Sequence, residues 1–131
     1  MTATITSLLQ PLKDRLAAAT PGPWYAEKMR AHSDDVLAES EDGPIVIAEH
    51  AGCDAEFIAA APTDQAKLIA AVEAAEALAA AWLARGESLK SFAKASPEDV
   101  QDSLNDQGDD LLWHANLVRS ALTQALGGDT A

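Results

Sequence analysis

The chain has 131 residues, 48% of them apolar, and a formal charge of −12 from 21 acidic and 9 basic residues. That length suffices for one domain with a core, residues 1–131, and the apolar share excludes disorder by composition. The acidity excludes the basic surface that phosphate binding requires, so nucleic acid is not an expected partner.

Solubility is the plain reading of the charge, and an acidic surface that imitates nucleic acid is a distant alternative. No apolar run reaches the length of a membrane span, so no membrane partner is expected. The opening MTATITSLLQ has neither a basic start nor a cleavage site and does not read as a signal peptide. The single cysteine, Cys53, cannot form an internal disulfide and fits a reducing cytosol.

In chain order, Leu9, Leu12, Leu16 and Ala19 recur at the helical period and predict a helix from about Gln10, or a turn earlier, to Ala19. Pro11 suits a first turn, where its missing N–H matters little. Thr20-Pro21-Gly22-Pro23 ends the helix. Period-2 patterning then predicts a strand over 24–29, a polar loop over 30–35 and a second strand over 36–40. Asp42-Gly43 signals a tight hairpin turn. Ile45 to Ala48 is the strongest strand signal, and its unbroken apolar run predicts burial on both faces. The result is a three-stranded antiparallel meander, too small to stand without a covering helix.

Asp54 is a suitable N-cap for that helix, with Glu56 adding negative charge at the positive end of the dipole. Pro62 predicts a break after Ala61, because the residue before proline is pushed out of the α region. Thr63 then offers a second cap for a long helix over about 64–84, stopped by Gly86. Leu68, Val72, Ala75, Ala79, Trp82 and Leu83 form its inner stripe, with Lys67, Glu73 and Glu76 on wet flanks. Ala70, Ala74, Ala77 and Ala81 repeat on the opposite side. One reading is that alanine simply favours helix and need not pack; the other is a shallow groove that admits a second helix.

Glu87 to Lys94 predicts a short amphipathic turn burying Leu89 and Phe92. Ser96-Pro97-Glu98-Asp99 starts the last helix, with Ser96 as cap. From there Val100, Leu104, Gly108, Leu111, Ala115, Val118, Leu122 and Ala125 keep one phase. A single helix over 97–126 would span roughly 45 Å at 1.5 Å per residue; the rival reading breaks it at Asn105 to Gly108. The fold class is therefore α+β and mainly helical: an N-terminal helix, the meander, and a hairpin of two long helices.

Three stretches, LAAATPGPW (16–24), VIAEH (46–50) and DAEFIAAAPTDQAKLIAAVEAAEAL (54–78), resemble the ead-like early-region accessory proteins of tailed phages and actinobacterial prophages. That family shows an Ala-rich helix, a Thr-Pro-Gly-Pro-Trp turn, a short sheet and an Asn/Asp-Ala-x-Phe-Ile-Ala-Ala-Ala helix. The resemblance covers residues 10 to about 84, leaving 87–126 as a C-terminal helical extension. It implies a phage or prophage origin, a non-essential early gene and action in the cytoplasm of a bacterial host. It carries no catalytic motif. Asp54 stands where the family also uses Asn, and either residue caps a helix.

Chemistry-bearing residues are sparse. His32, His50 and Cys53 lack the tight four-ligand spacing of a structural zinc site, so no metal is expected. No Gly-x-Ser-x-Gly, phosphate loop or dinucleotide fingerprint occurs, and no cofactor or enzymatic activity is expected. Glu39, Glu41 and Asp42 lie at a hairpin tip, where solvent is the natural partner. His114 reads as a flank or interface residue.

Two function classes remain. One is a non-catalytic interaction protein that binds a host protein and pairs with itself. Its self-association residues would be Ala70, Ala74, Ala77 and Ala81 with Trp113, Leu117 and Ala121, large side chains facing small ones. The other is a sequestering protein for a nucleotide signal of anti-phage defence, with Trp24, Tyr25, Lys28 and Arg30 as the pocket. Against that pocket stands the reading of Trp24 as a core anchor, since tryptophan is highly buried on average.

Overall fold

The computed structural model describes residues 3–27 and 34–128. The fold is mainly helical α+β. It runs α1 (Ile5–Ala18), β1 (Trp24–Glu27), β2 (Asp35–Ala38), β3 (Ile45–Ala48), a 3-10 turn (Gly52–Asp54), α2 (Ala55–Lys94) and α3 (Glu98–Ala125). The expected position of the third strand is met residue for residue, and the last helix is continuous through Gly108. Contacts gather into two compact units: a sheet unit, Pro11–Ile69, and a hairpin unit, Met1–Gln10 with Ala70–Ala131.

Helix α1 starts five residues before Gln10. Thr4 and Ser7 close a reciprocal cap: the Ser7 N–H donates to Thr4 Oγ1 at 3.0 Å, and the Thr4 N–H donates to Ser7 Oγ at 2.9 Å. Two orphan amides are thereby satisfied, which offsets the interior Pro11.

In the sheet unit the indole N–H of Trp24 donates to the Thr20 carbonyl at 2.8 Å, closing the Thr-Pro-Gly-Pro turn across a cis Gly22–Pro23 peptide. The meander is antiparallel in order β1-β2-β3, with Trp24 opposite Ala38 and Ala38 opposite Ile45. Pairing passes from Val36–Ala48 to Leu37–Val46, so Ile47 is an extra residue on β3, a bulge. Gly43, with φ +106°, closes the turn by donating its N–H to the Ser40 carbonyl at 3.1 Å.

The expected burial of β3 on both faces is not found. Ile45 and Val46 are 43% and 51% exposed, because β3 is an edge strand. The middle strand is the buried one: Val36, Leu37 and Ala38 are all buried, and successive side chains point to opposite faces. Past β3, the His50 N–H donates to Asp35 Oδ1 at 2.9 Å, and the Ala51 N–H donates to the Asp34 carbonyl at 2.7 Å. These bonds hold the left-handed His50 (φ 53°) and tie the start of α2 to β2.

Helix α2 corrects three expectations. It passes through Pro62 without a break, Thr63 starts no second helix, and Gly86 is no stop. A proline inside a helix forfeits one hydrogen bond at about 3 kcal/mol, a loss that 40 residues of helix absorb. Residues 87–94 are the last turns of α2 rather than a separate turn, and Phe92 is exposed. Leu68 is exposed too, and Ile69 is the buried residue beside it.

Ser96 does not cap α3. Its hydroxyl donates to the Phe92 carbonyl at 2.8 Å and so closes the end of α2, while Pro97 holds the N-cap position of α3. Glu98 and Asp99 still favour that terminus electrostatically. The far end of α3 is a Schellman motif: the Gly128 N–H donates to the Thr123 carbonyl, the Gly127 N–H to the Gln124 carbonyl, and Gly127 takes φ +83°. Leu8 of α1 lies against Gly128, and Ile5 and Leu9 are buried.

Candidate functional site

Within the hairpin unit, α2 and α3 lie antiparallel and meet through small residues. A Cβ added to Gly86 would stand 2.9 Å from the Gly108 carbonyl oxygen and 3.0 Å from Leu112 Cγ. One added to Gly108 would stand 2.6 Å from Lys90 Cγ and 2.9 Å from the Gly86 carbonyl oxygen. The two backbones therefore cross at Gly86 and Gly108, nearer than any side chain permits. Ala79 and Ala93 on α2 and Ala115 on α3 continue this seam fully buried. Each lies seven residues from its glycine, the heptad spacing of supercoiled helices.

Two ion pairs fix the register. The Arg119 guanidinium reaches Glu76 with Nε at 3.2 Å and Nη2 at 2.7 Å, a two-pronged contact. Glu76, expected on a wet flank, is thus half-buried at the helix contact. The stem of Lys90 lies over Gly108 while its ammonium donates to Asp109 Oδ1 at 2.7 Å. That carboxylate holds the Lys90 pKa above its ordinary value of 10.5.

The outward faces are apolar in patches. Ala70, Ala74, Ala77 and Ala81 are all exposed, on the side of α2 turned away from α3, and Leu78 beside them is 50% exposed. Trp113 and Leu117 are 61% and 53% exposed and Ala121 is exposed, on the side of α3 turned away from the Gly108–Ala115 seam. Within one chain the Trp113 stripe and the alanine stripe do not meet; the hairpin closes through the other face of each helix. Trp113 meets His114 edge to face, with ring centroids 4.9 Å apart. His114 Nδ1 lies 2.6 Å from the Asp110 carbonyl oxygen, so His114 is held to its own helix.

Of the other candidates, Trp24, Tyr25, His50 and Cys53 are described. Trp24 and Tyr25 are neighbours on β1 and point to opposite faces of the sheet. Trp24 is half-buried rather than a full core anchor, and its N–H is taken by Thr20. Desolvation first, then Glu39 and Glu27, raise the Tyr25 pKa, which keeps the phenol neutral. Lys28, Arg30 and His32 lie outside the described residues. Cys53 is exposed, its thiol 3.9 Å from Asp54 Oδ1. Among the described residues no three His, Cys, Asp or Glu side chains gather as a metal site. No helix among them is long and apolar enough to cross a membrane.

Sequence reasoning placed Ala79 on an inner stripe and Gly108 and Ala115 in one phase, but it took Gly86 for a stop and so missed the crossing. The signal was present in the heptad spacing of Ala79, Gly86 and Ala93 and of Gly108 and Ala115. No protein-family model, curated protein or solved structure matches the chain.

Proposed function

We propose that the chain is a non-catalytic interaction protein that pairs with itself through the outer face of α2 and binds a host protein. The observation that carries this reading is the apolar surface left on the outside of one helical hairpin. Leu78, Phe92, Trp113 and Leu117 are each at least half exposed there, and apolar patches of this kind mark interaction surfaces. The resemblance of residues 10–84 supports a phage or prophage accessory protein acting in the bacterial cytoplasm. The charge of −12 argues against nucleic acid as the partner.

The outer stripes of α2 and α3 face opposite ways. A pairing of one stripe with the other between two copies would be heterologous and would run on into a chain of copies. A closed dimer needs the same patch twice. The alanine stripe meets that need, because four alanines in helical register let two helices approach closely, with Leu78 at the rim. Light scattering at micromolar concentration is expected to read a dimer, and Ala77→Arg to return a monomer that is still folded, because it places a charge in a desolvated face. A strict monomer for the unaltered chain would overturn self-association. No particular observation favours the nucleotide-sequestering reading; nucleotides co-purifying with the protein in mass spectrometry would revive it.

A further inference from the structure

The outer face of α3 has two halves of different chemistry. Asp99, Asp102, Asp106 and Asp110 follow at spacings of three, four and four, all exposed. Trp113, Leu117 and Ala121 continue the same face at spacings of three, four and four, also exposed. Those spacings keep all seven residues in one row. Between Glu98 and Val118 the helix carries no lysine or arginine, and its one arginine, Arg119, is held by Glu76. The row from Asp99 to Ala121 is about 33 Å long at 1.5 Å per residue.

We propose that this row docks an amphipathic helix of another protein, one whose single face carries lysine or arginine along one half and large apolar side chains along the other. The inference rests on the interaction-protein reading and names the class of partner. Charge complementarity selects the occupant. Four carboxylates in a row attract a basic segment and repel an acidic one, and the field of a chain at −12 steers a basic partner from a distance. A half-exposed tryptophan with a leucine one turn on supplies the apolar anchors from which most binding energy comes. A helix suits the row because its own side chains repeat at the same three-and-four spacing.

A second copy suits it poorly. Two such rows laid parallel set carboxylate against carboxylate. Laid antiparallel about Leu117, they overlap over Trp113 to Ala121 alone, about 12 Å of helix.

The test uses the full chain and a synthetic 23-residue helical peptide, the length of the row. Its lysines occupy four positions of one face and its leucines the next three positions of that face; a control peptide has the same composition with the helical phase scrambled. Calorimetry in 0.15 M salt is expected to show binding of the phased peptide about tenfold tighter than of the scrambled one, a difference set by alignment and not by charge. Trp113→Ala and the double variant Asp106→Asn with Asp110→Asn should each weaken binding about tenfold, and the double variant should flatten its salt dependence. The control double variant Glu41→Gln with Asp42→Asn, at the hairpin tip, removes the same charge and should leave affinity within about twofold. Melting curves confirm that each variant is folded.

Equal binding of both peptides, or equal losses in the control double variant, would overturn the proposal in favour of diffuse attraction. Dissociation of the dimer by Trp113→Ala would overturn it in favour of a second copy. Light scattering on the same samples separates the two readings: an intact dimer that ignores the peptide rejects this inference alone, and a monomer that binds it rejects only the self-association.

Discussion

Two stripes of small residues run along α2, and smallness alone does not tell them apart. Ala79, Gly86 and Ala93 face α3 and are buried, while Ala70, Ala74, Ala77 and Ala81 face away and are exposed. What separates them is glycine and period. Alanine is the best helix former and carries no information about packing. Glycine weakens a helix by about 1 kcal/mol relative to alanine, so a glycine held inside two facing helices marks a place where a methyl does not fit. The inner stripe also keeps a spacing of seven, the spacing that holds a contact line between two supercoiled helices over several turns. The outer stripe alternates four and three over a shorter stretch, which describes one side of any helix.

The largest effect should come from filling the inner stripe. Gly86→Leu places a side chain where the Gly108 carbonyl oxygen already stands 2.9 Å from a lone Cβ. It should destabilise by about 3 kcal/mol, the upper part of the range for overpacking. Ala77→Leu on the outer stripe, measured with any dimer diluted apart, should stay within about 0.5 kcal/mol of the unaltered chain. Urea unfolding reads both. Equal losses at the two positions would erase the distinction between the stripes.

A subtler exchange sharpens it. Helix propensity alone says that Gly108→Ala stabilises by about 1 kcal/mol and that Ala77→Gly does the reverse. At the crossing, the methyl meets Lys90 Cγ at 2.6 Å and the Gly86 carbonyl oxygen at 2.9 Å. The lysine stem can move and the carbonyl cannot. The overpacking should outweigh the propensity gain and leave Gly108→Ala about 1 kcal/mol less stable. A gain in urea midpoint would mean that the helices do not touch there.

The same contrast explains what could be read from the sequence. The strands at Trp24 and Ile45, the Thr-Pro-Gly-Pro turn and the single phase of α3 were legible, because period and turn chemistry are local properties. The continuity of α2 was not. Pro62 and Gly86 are breakers by local rules, and only the surrounding helix overrides the first and only the crossing explains the second. The buried middle strand was hidden because Val36, Leu37 and Ala38 stand between acidic residues, whereas Ile45 to Ala48 looks more buried than an edge strand can be. Ala79, Gly108 and Ala115 could be placed on inner stripes by their period, but the alanine and Trp113 stripes, read as large facing small, are exposed on the outside of the hairpin. Large-to-small complementarity between two helices is a statement about shape, and two other faces of the same helices had a better fit.

Ion pairs beside the seam should matter less than the seam. Arg119→Met keeps the stem and removes the contact with Glu76. An ion pair open to solvent contributes about 1 kcal/mol or less, and salt should reduce it further. If this variant lost as much stability as Gly86→Leu, electrostatics rather than close approach would be holding the helices together.

The smallest effect is a dependence on pH at the crossing itself. Lys90 lies over Gly108 and donates to Asp109, and that hydrogen bond holds its folded pKa above 10.5. In the unfolded chain the partner is gone and the pKa returns to its ordinary value. Between the two values the folded state binds more protons than the unfolded one, so stability falls as pH rises. The contribution is complete below 10.5 and is lost as pH climbs through the raised folded value. Tyr25, whose folded pKa is also raised, loses stability in the same alkaline direction and would mask the signal. The measurement therefore starts from Tyr25→Phe and compares urea midpoints with and without Asp109→Asn at pH 8 and at successively higher pH beyond 10.5. The difference made by Asp109→Asn should be present at pH 8 and shrink once Lys90 is neutral. A difference that stayed constant across that range would mean that Asp109 acts through its position at the helix crossing and not through the lysine charge.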